Sequence, residues 1–179
     1  MFEFGDNHPV LGTAMLFVGL GIYMWIKYLI DSRRGINSKA YYRVMEILKK
    51  VIPTVEEYVP VYAYWVENSR WLGKYYAVGI TDDKLYVVPL HISKKEIDYS
   101  ESFVIMKSSL GKINSGNTGC SIRNVYLYDR KQQEIIRFDV DEKNTRMDKA
   151  YPLNLTQTEE FHAFFAKLDS WKKEIEGVL

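Results

Sequence analysis

Cysteine is nearly absent from this chain: Cys120 is the single one in 179 residues. No internal disulfide can form, so the fold must rest on burial and hydrogen bonding. A lone thiol agrees with a reducing compartment. Histidine is almost as scarce. His8, His91 and His162 stand far apart, and none has a second His or Cys at metal-site spacing. Cys120 with His91 or His162 could form a nucleophile and base, but no local motif accompanies them. No G-x-S-x-G or G-x-G-x-x-G occurs. Gly111-Lys112 is followed by Ile113, and Met106 stands where a phosphate-binding loop needs glycine. The expectation is a non-enzymatic chain with no catalytic, cofactor-binding or metal-ligating residues.

An excess of one charge is missing too. Twenty-four Lys and Arg oppose 23 Asp and Glu, a net charge of +1. The dipeptides Lys94-Lys95, Arg130-Lys131 and Lys172-Lys173 each lie near carboxylates. That excludes the basic footprint of a nucleic-acid binder.

What the chain does have is one long apolar run, Pro9 to Ile30, with Lys27 as its only charge. A bilayer core about 30 Å thick needs about 20 such residues in a helix. The run therefore predicts a membrane anchor over residues 9–30, with Leu16, Phe17, Gly19, Gly21 and Trp25 along it. No basic stretch precedes it and no small-residue cleavage site follows, which argues against a signal peptide. Arg33, Arg34 and Lys39 follow the run, whereas Glu3 and Asp6 precede it. The positive flank sets the topology: residues 1–8 outside, the C-terminal domain in the cytoplasm, the whole at the cell membrane. Gly12 and Gly19, like Ala14 and Gly21, share a helix face, where small residues admit a second helix. Lipid bilayer, another membrane protein or complex, and a second copy of the chain are the expected partners.

Residues 31–53 form a juxtamembrane segment. Within it, Tyr41, Val44, Ile47, Leu48, Val51 and Ile52 make a helical stripe over 37–52, ended by Pro53. That helix could lie on anionic headgroups through its Lys and Arg. Packing on its own domain or on a partner is favoured, because Glu46 dilutes the basic face. Fourteen tyrosines fit the β-rich pattern that follows. Strands are expected at 61–67, 74–81, 84–90, 102–106, 121–129, 134–140 and 150–153. Ser108 to Ser121, with three glycines and small polar residues, reads as a loop. A helix over 157–176 closes the chain, opened by a Thr156-x-x-Glu159 capping box and carrying Phe161, Phe164, Phe165, Leu168 and Trp171 on one stripe. Asn154-Leu155-Thr156 is a glycosylation sequon, relevant only outside the cytoplasm. The fold class is α+β, with 54–179 as one soluble domain.

Six or seven strands followed by one amphipathic helix, together with Val78-Gly79-Ile80-Thr81-Asp82-Asp83-Lys84-Leu85-Tyr86-Val87-Val88, resembles the bacterial pleckstrin-homology-like (PH-like) domains. The resemblance implies an antiparallel bent sheet or open barrel, a C-terminal capping helix, and a binding or scaffolding role without catalytic residues. Eukaryotic members often hold phosphoinositides through basic residues between the first two strands. The matching turn here has only Arg70 and Lys74 around Trp71, too few for a multiply charged headgroup.

The expected function is thus an accessory or scaffold subunit of a membrane assembly that binds a partner protein. Tyr62, Tyr64, Trp65, Arg70, Trp71, Lys74, Tyr75 and Tyr76 are the candidate contacts, since Tyr and Trp are enriched at interfaces. About half of them should fill the core by strand alternation. Two alternatives stand beside this: a lipid-surface module using helix 37–52, and an enzyme with an unrecognised site.

Overall fold

The computed structural model describes residues 18–26, 39–66, 73–92, 96–118, 121–144 and 155–177. Helix α1 covers 18–26, α2 Lys39–Val51 and α3 Thr158–Ile175. Between α2 and α3 run β1 (Val59–Val66), β2 (Gly73–Ile80), β3 (Lys84–Ile92), β4 (Ile97–Tyr99), β5 (Phe103–Met106), β6 (Leu110–Asn117), β7 (Ile122–Asp129) and β8 (Glu134–Asp141). The short pair β9 (Lys143–Asn144) and β10 (Leu155–Thr156) precedes α3.

The spanning helix is corrected. Of the run, residues 18–26 are described and helical, fewer than the about 20 that a bilayer core of about 30 Å requires. Among the described residues no helix is long and apolar enough to cross a membrane. The membrane anchor and the localisation derived from it are overturned by that finding. Gly19, Gly21 and Trp25 lie on α1, and Lys39 opens α2. Pro9, Leu16, Phe17, Lys27, Ile30, Arg33 and Arg34 lie outside the described residues.

The sheet is antiparallel and has eight strands, in the order β4-β3-β2-β1-β8-β7-β6 with β5 also on β3. The expected six or seven strands are corrected by the segment read as a loop. Its glycines do not prevent β6 from pairing along β7 from Leu110 to Asn117. An edge strand bonds on one side only and tolerates small residues better than a central one. The Thr81–Lys84 turn between β2 and β3 is tight: Thr81 Oγ1 accepts the Lys84 N–H at 2.9 Å. Asp82 in this turn meets Lys167 of α3 at 2.9 Å.

Two apolar layers flank the sheet. On one face Val61, Val78, Leu85, Ile113, Val125, Leu127 and Phe138 pack with Phe161, Phe164, Phe165, Leu168 and Trp171 of α3. Each such large side chain contributes on the order of 1.5–3 kcal/mol by leaving water. On the other face Val44, Ile47 and Leu48 of α2 cover Tyr62, Ala77, Val88 and Ile97. So the apolar stripe of α2 is spent on its own domain. Tyr41 of α2 reaches Glu160 at the start of α3 with a hydroxyl–carboxylate bond of 2.5 Å.

Pairing between β1 and β8 is confined to Tyr64 and Asp139. Continued by two residues, the same register sets Tyr62 opposite Asp141. There the strands part, and the Gln157 amide fills the gap. Its Oε1 accepts the Tyr62 N–H at 2.8 Å, and its Nε2 donates to Tyr62 O at 2.9 Å and Asp141 O at 2.8 Å. Gln157 is 2% exposed. It is also the N-cap of α3 and makes no side-chain cap bond. The expected capping box is therefore corrected: Thr156 belongs to β10, and the amide next to it serves the sheet.

Replacing Gln157 by Leu should lower the unfolding free energy in urea by about 2–4 kcal/mol, because buried main-chain groups lose their partners. A change under about 0.5 kcal/mol would show that the strands close without it. A second outcome concerns pH. Burial, then the bond to Glu160 and its charge, pushes the Tyr41 hydroxyl up from 10.0 to about 12. Unfolded Tyr41 ionises first, so stability is intact below pH 10 and falls as pH rises toward 12. Tyr41→Phe should flatten that part of the stability profile.

Candidate interaction surface

Strand alternation sorts the β6–β8 half of the sheet. Ile113, Val125, Leu127, Ile136, Phe138 and Val140 are buried on the α3 side. Their neighbours Asn114, Asn124, Tyr126, Tyr128, Arg137 and Asp139 are half-buried, and Lys112 and Gly116 are exposed. Alpha-helix α2 packs on β1, β2 and β4. The corresponding face of β6–β8 is accessible.

Register arranges that face. Asn114 stands opposite Tyr126, Lys112 opposite Tyr128, and Gly116 opposite Asn124, whose Oδ1 accepts the Gly116 N–H at 3.0 Å. Tyr126 meets Trp65 edge-on at 6.4 Å, and the Arg137 guanidinium lies 4.2 Å from the Trp65 ring centre. Such a cation–π contact contributes about 0.5–1 kcal/mol at an exposed site. A groove of about 430 Å³ opens over the β6 edge, between Asn114, Ser115, Gly116, Tyr126 and Tyr128 on the sheet and Lys172 on α3. Lys172 is its single charged lining residue, and its nearest carboxylate, Glu176, is 4.0 Å away.

On the inner side Arg123 fixes the end of β6 and β7 to α3. Its Nη2 donates to Ser115 Oγ at 3.1 Å and to Asp169 Oδ1 at 3.2 Å, and its guanidinium lies 4.0 Å from the Phe165 ring centre. A larger space of about 550 Å³ lies where β5 turns into β6, beside the end of α3. Its cations are engaged: Lys107 bonds Glu174 at 2.8 Å, and Arg130 bonds Ser108 O at 2.7 Å. The β6 groove is the better candidate for a partner.

The eight expected contact residues divide. Tyr62, Tyr64 and Tyr76 are 2%, 3% and 9% exposed, and as partner contacts they are corrected. They sit in central strands with a helix layer on each face, so alternation exposes neither set. Tyr75 is half-buried and stacks on Tyr62 at 6.3 Å. Lys74 is exposed on β2. Arg70 and Trp71 lie outside the described residues. Trp65, partly buried against the α3-side core, is the one of the eight whose ring also touches Tyr126 and Arg137 of the face described above. Tyr126, Tyr128 and Arg137 were missed, although the alternation in Arg123 to Asp129 sets two tyrosines on one face and could have found them.

Among the described residues the two histidines have ordinary partners. His91 bonds Ser100, and His162 lies edge-on to Phe161 at 5.5 Å. Cys120 lies outside the described residues. Among the described residues no three His, Cys, Asp or Glu side chains could hold a metal. The shifted carboxyls are structural ties: bonds from Lys84 and then Tyr86 hold Glu56 below the usual carboxylate range, and Lys167 does the same for Asp82.

Equilibrium unfolding separates surface from core. Tyr62→Ala should cost about 3–5 kcal/mol, and Tyr128→Ala less than about 1.5 kcal/mol. Equal losses would place Tyr128 in the core and remove it from the surface.

No family model matches this chain, and no curated protein matches it. Among solved structures it is similar to the hSac2 domain from the human phosphoinositide phosphatase Sac2, at 11% identity and a TM-score of 0.43, over 96% of this chain and 86% of that one. A superposition that loose carries no argument about this chain.

Proposed function

We propose that this chain is a non-catalytic protein-binding module, an accessory or scaffold subunit that holds a partner protein on the outer face of β6–β8. The supporting observation is the uneven cover of one sheet. Over β1 and β2 both faces are covered by helices, whereas over β6–β8 the outer face has no helix on it among the described residues and Tyr126, Tyr128 and Arg137 are only half-buried there. Tyr, Trp and Arg are the residues enriched at protein interfaces. Two antiparallel meanders, joined at β1 and β8 and closed by one C-terminal helix, support the PH-like reading of the chain and the binding role it implies. A lipid-surface role for α2 would have to strip Val44, Ile47 and Leu48 from the core they now fill.

The test is affinity purification of the full chain, as wild type and as Tyr126→Ala/Tyr128→Ala. A stoichiometric partner should accompany the wild type and fall by about tenfold with the double variant, a loss of about 1.4 kcal/mol. Circular dichroism should show the two folded alike. A partner equally retained by the variant, or a wild type that purifies alone, would reject the reading.

A further inference from the structure

We infer that the β6 edge takes an extended acidic segment of the partner as its next strand. The inference rests on the binding-module reading and names the chemistry of what that site accepts.

The register identifies the main-chain groups available. Thr118 N–H donates to Ile122 O at 3.0 Å, continuing the β6–β7 ladder. In an antiparallel ladder bonded pairs recur at every second position. Gly116–Asn124 and Asn114–Tyr126 are then the bonded pairs. Ile113, Ser115 and Asn117 turn their N–H and C=O away from β7. Beta-strand β6 ends the strand order, and among the described residues nothing pairs with its outer edge. Three residues alternating along an open edge match the spacing of an added strand.

Charge identifies the occupant. Lys172 is the one charged residue lining the groove over this edge. The carboxylates beside it are engaged, Asp169 by Arg123 at 3.2 Å and by Ser115 at 3.4 Å, while Glu176 stands 4.0 Å from Lys172. An incoming strand sends alternate side chains to the two faces of the sheet. One set would lie by Tyr126 and Tyr128, the other beside α3, where Lys172 favours a carboxylate. A second copy adding through its own β6 would bring a second Lys172 into the same groove, so charge opposes self-pairing. The β5 edge is a weaker acceptor: it has four residues and leads straight into the 3₁₀ turn Lys107–Ser109.

The probes are two acetylated octapeptides, one alternating Val and Glu, the other alternating Val and Lys, titrated into the ¹⁵N-labelled full chain. The Val/Glu peptide should slow amide exchange at Ile113, Ser115 and Asn117 about tenfold or more, and the Val/Lys peptide should not. Lys172→Glu should weaken the Val/Glu peptide about tenfold. Ser115→Pro removes an outward N–H that β7 does not use, and should abolish binding. Because Ser115 also bonds Arg123, Asn117→Pro at an exposed position serves as the second variant. No protection at these amides at millimolar peptide, equal binding of both peptides, retention by both proline variants, or dimerisation through β6 would each overturn the inference. A partner lost from Tyr126→Ala/Tyr128→Ala but kept by the proline variants overturns strand addition and leaves the binding module standing. A partner kept by the tyrosine variant removes the broader reading.

Discussion

The main-chain N–H and C=O of Tyr62 are buried at the place where β1 and β8 separate. Left without partners there, they would cost on the order of 1–3 kcal/mol each. The β1–β8 ladder does not supply partners there, since its pairing is confined to Tyr64 and Asp139. The Gln157 amide supplies them by acting as a short piece of strand, with an acceptor for Tyr62 N–H and donors for Tyr62 O and Asp141 O. Its position is equally constrained. Gln157 N–H donates to Glu142 O, and Gln157 O receives the first bond of α3 from Phe161. One residue therefore couples the split in the sheet to the start of the helix that fills it.

From that junction the two halves acquire different fates. The β1–β4 half has a second cover. Leu48 of α2 and Ile52 just past its end lie over Gly79, where an added Cβ would sit 2.5 Å from Ile52 Cδ1 and 3.8 Å from Leu48 Cδ2. The absent side chain is what lets α2 approach. The β6–β8 half receives no such helix among the described residues, and its outer positions are correspondingly mixed: amides, phenols, the Lys112 ammonium, the Arg137 guanidinium and the Asp139 carboxylate. Composition of a strand face follows what covers it. The uncovered face is where a surface can be specified without disturbing the core.

Legibility in the sequence tracked how local the cause was. The stripe of α3 and the Asp82-Asp83 hairpin could be read, because periodicity and turn chemistry act over a few residues. So could the stripe of α2 and its preference for protein. Beta-strand β6 could not: its ladder partner β7 supplies the order that Gly111, Gly116 and Ser115 lack on their own. The tyrosines of β1 and β2 looked like interface residues by type, and they are core because two distant helices meet over them. Trp65, near the strand end, is only partly buried against the α3-side core. The anchor read from the apolar run at 9–30 is overturned by a different finding: among the described residues no helix is long and apolar enough to cross a membrane.

An open β6 edge also has a cause. The chain enters β6 from the 3₁₀ turn Lys107–Ser109 and meets a register shift between Leu110 and Lys112. Gly111 sits in that bulge. A Cβ there would fall 2.5 Å from Asp129 O and 2.7 Å from Arg130 Cα, both backbone atoms. A bulge bends its strand and raises local twist. It turns β6 away from β5, and among the described residues those two strands do not pair. The edge left behind is protected from indiscriminate pairing by its own side chains: Lys112 and Asn117 are exposed on it, and Lys172 overlooks it. The same charge that repels a second copy is the one that would select an acidic strand.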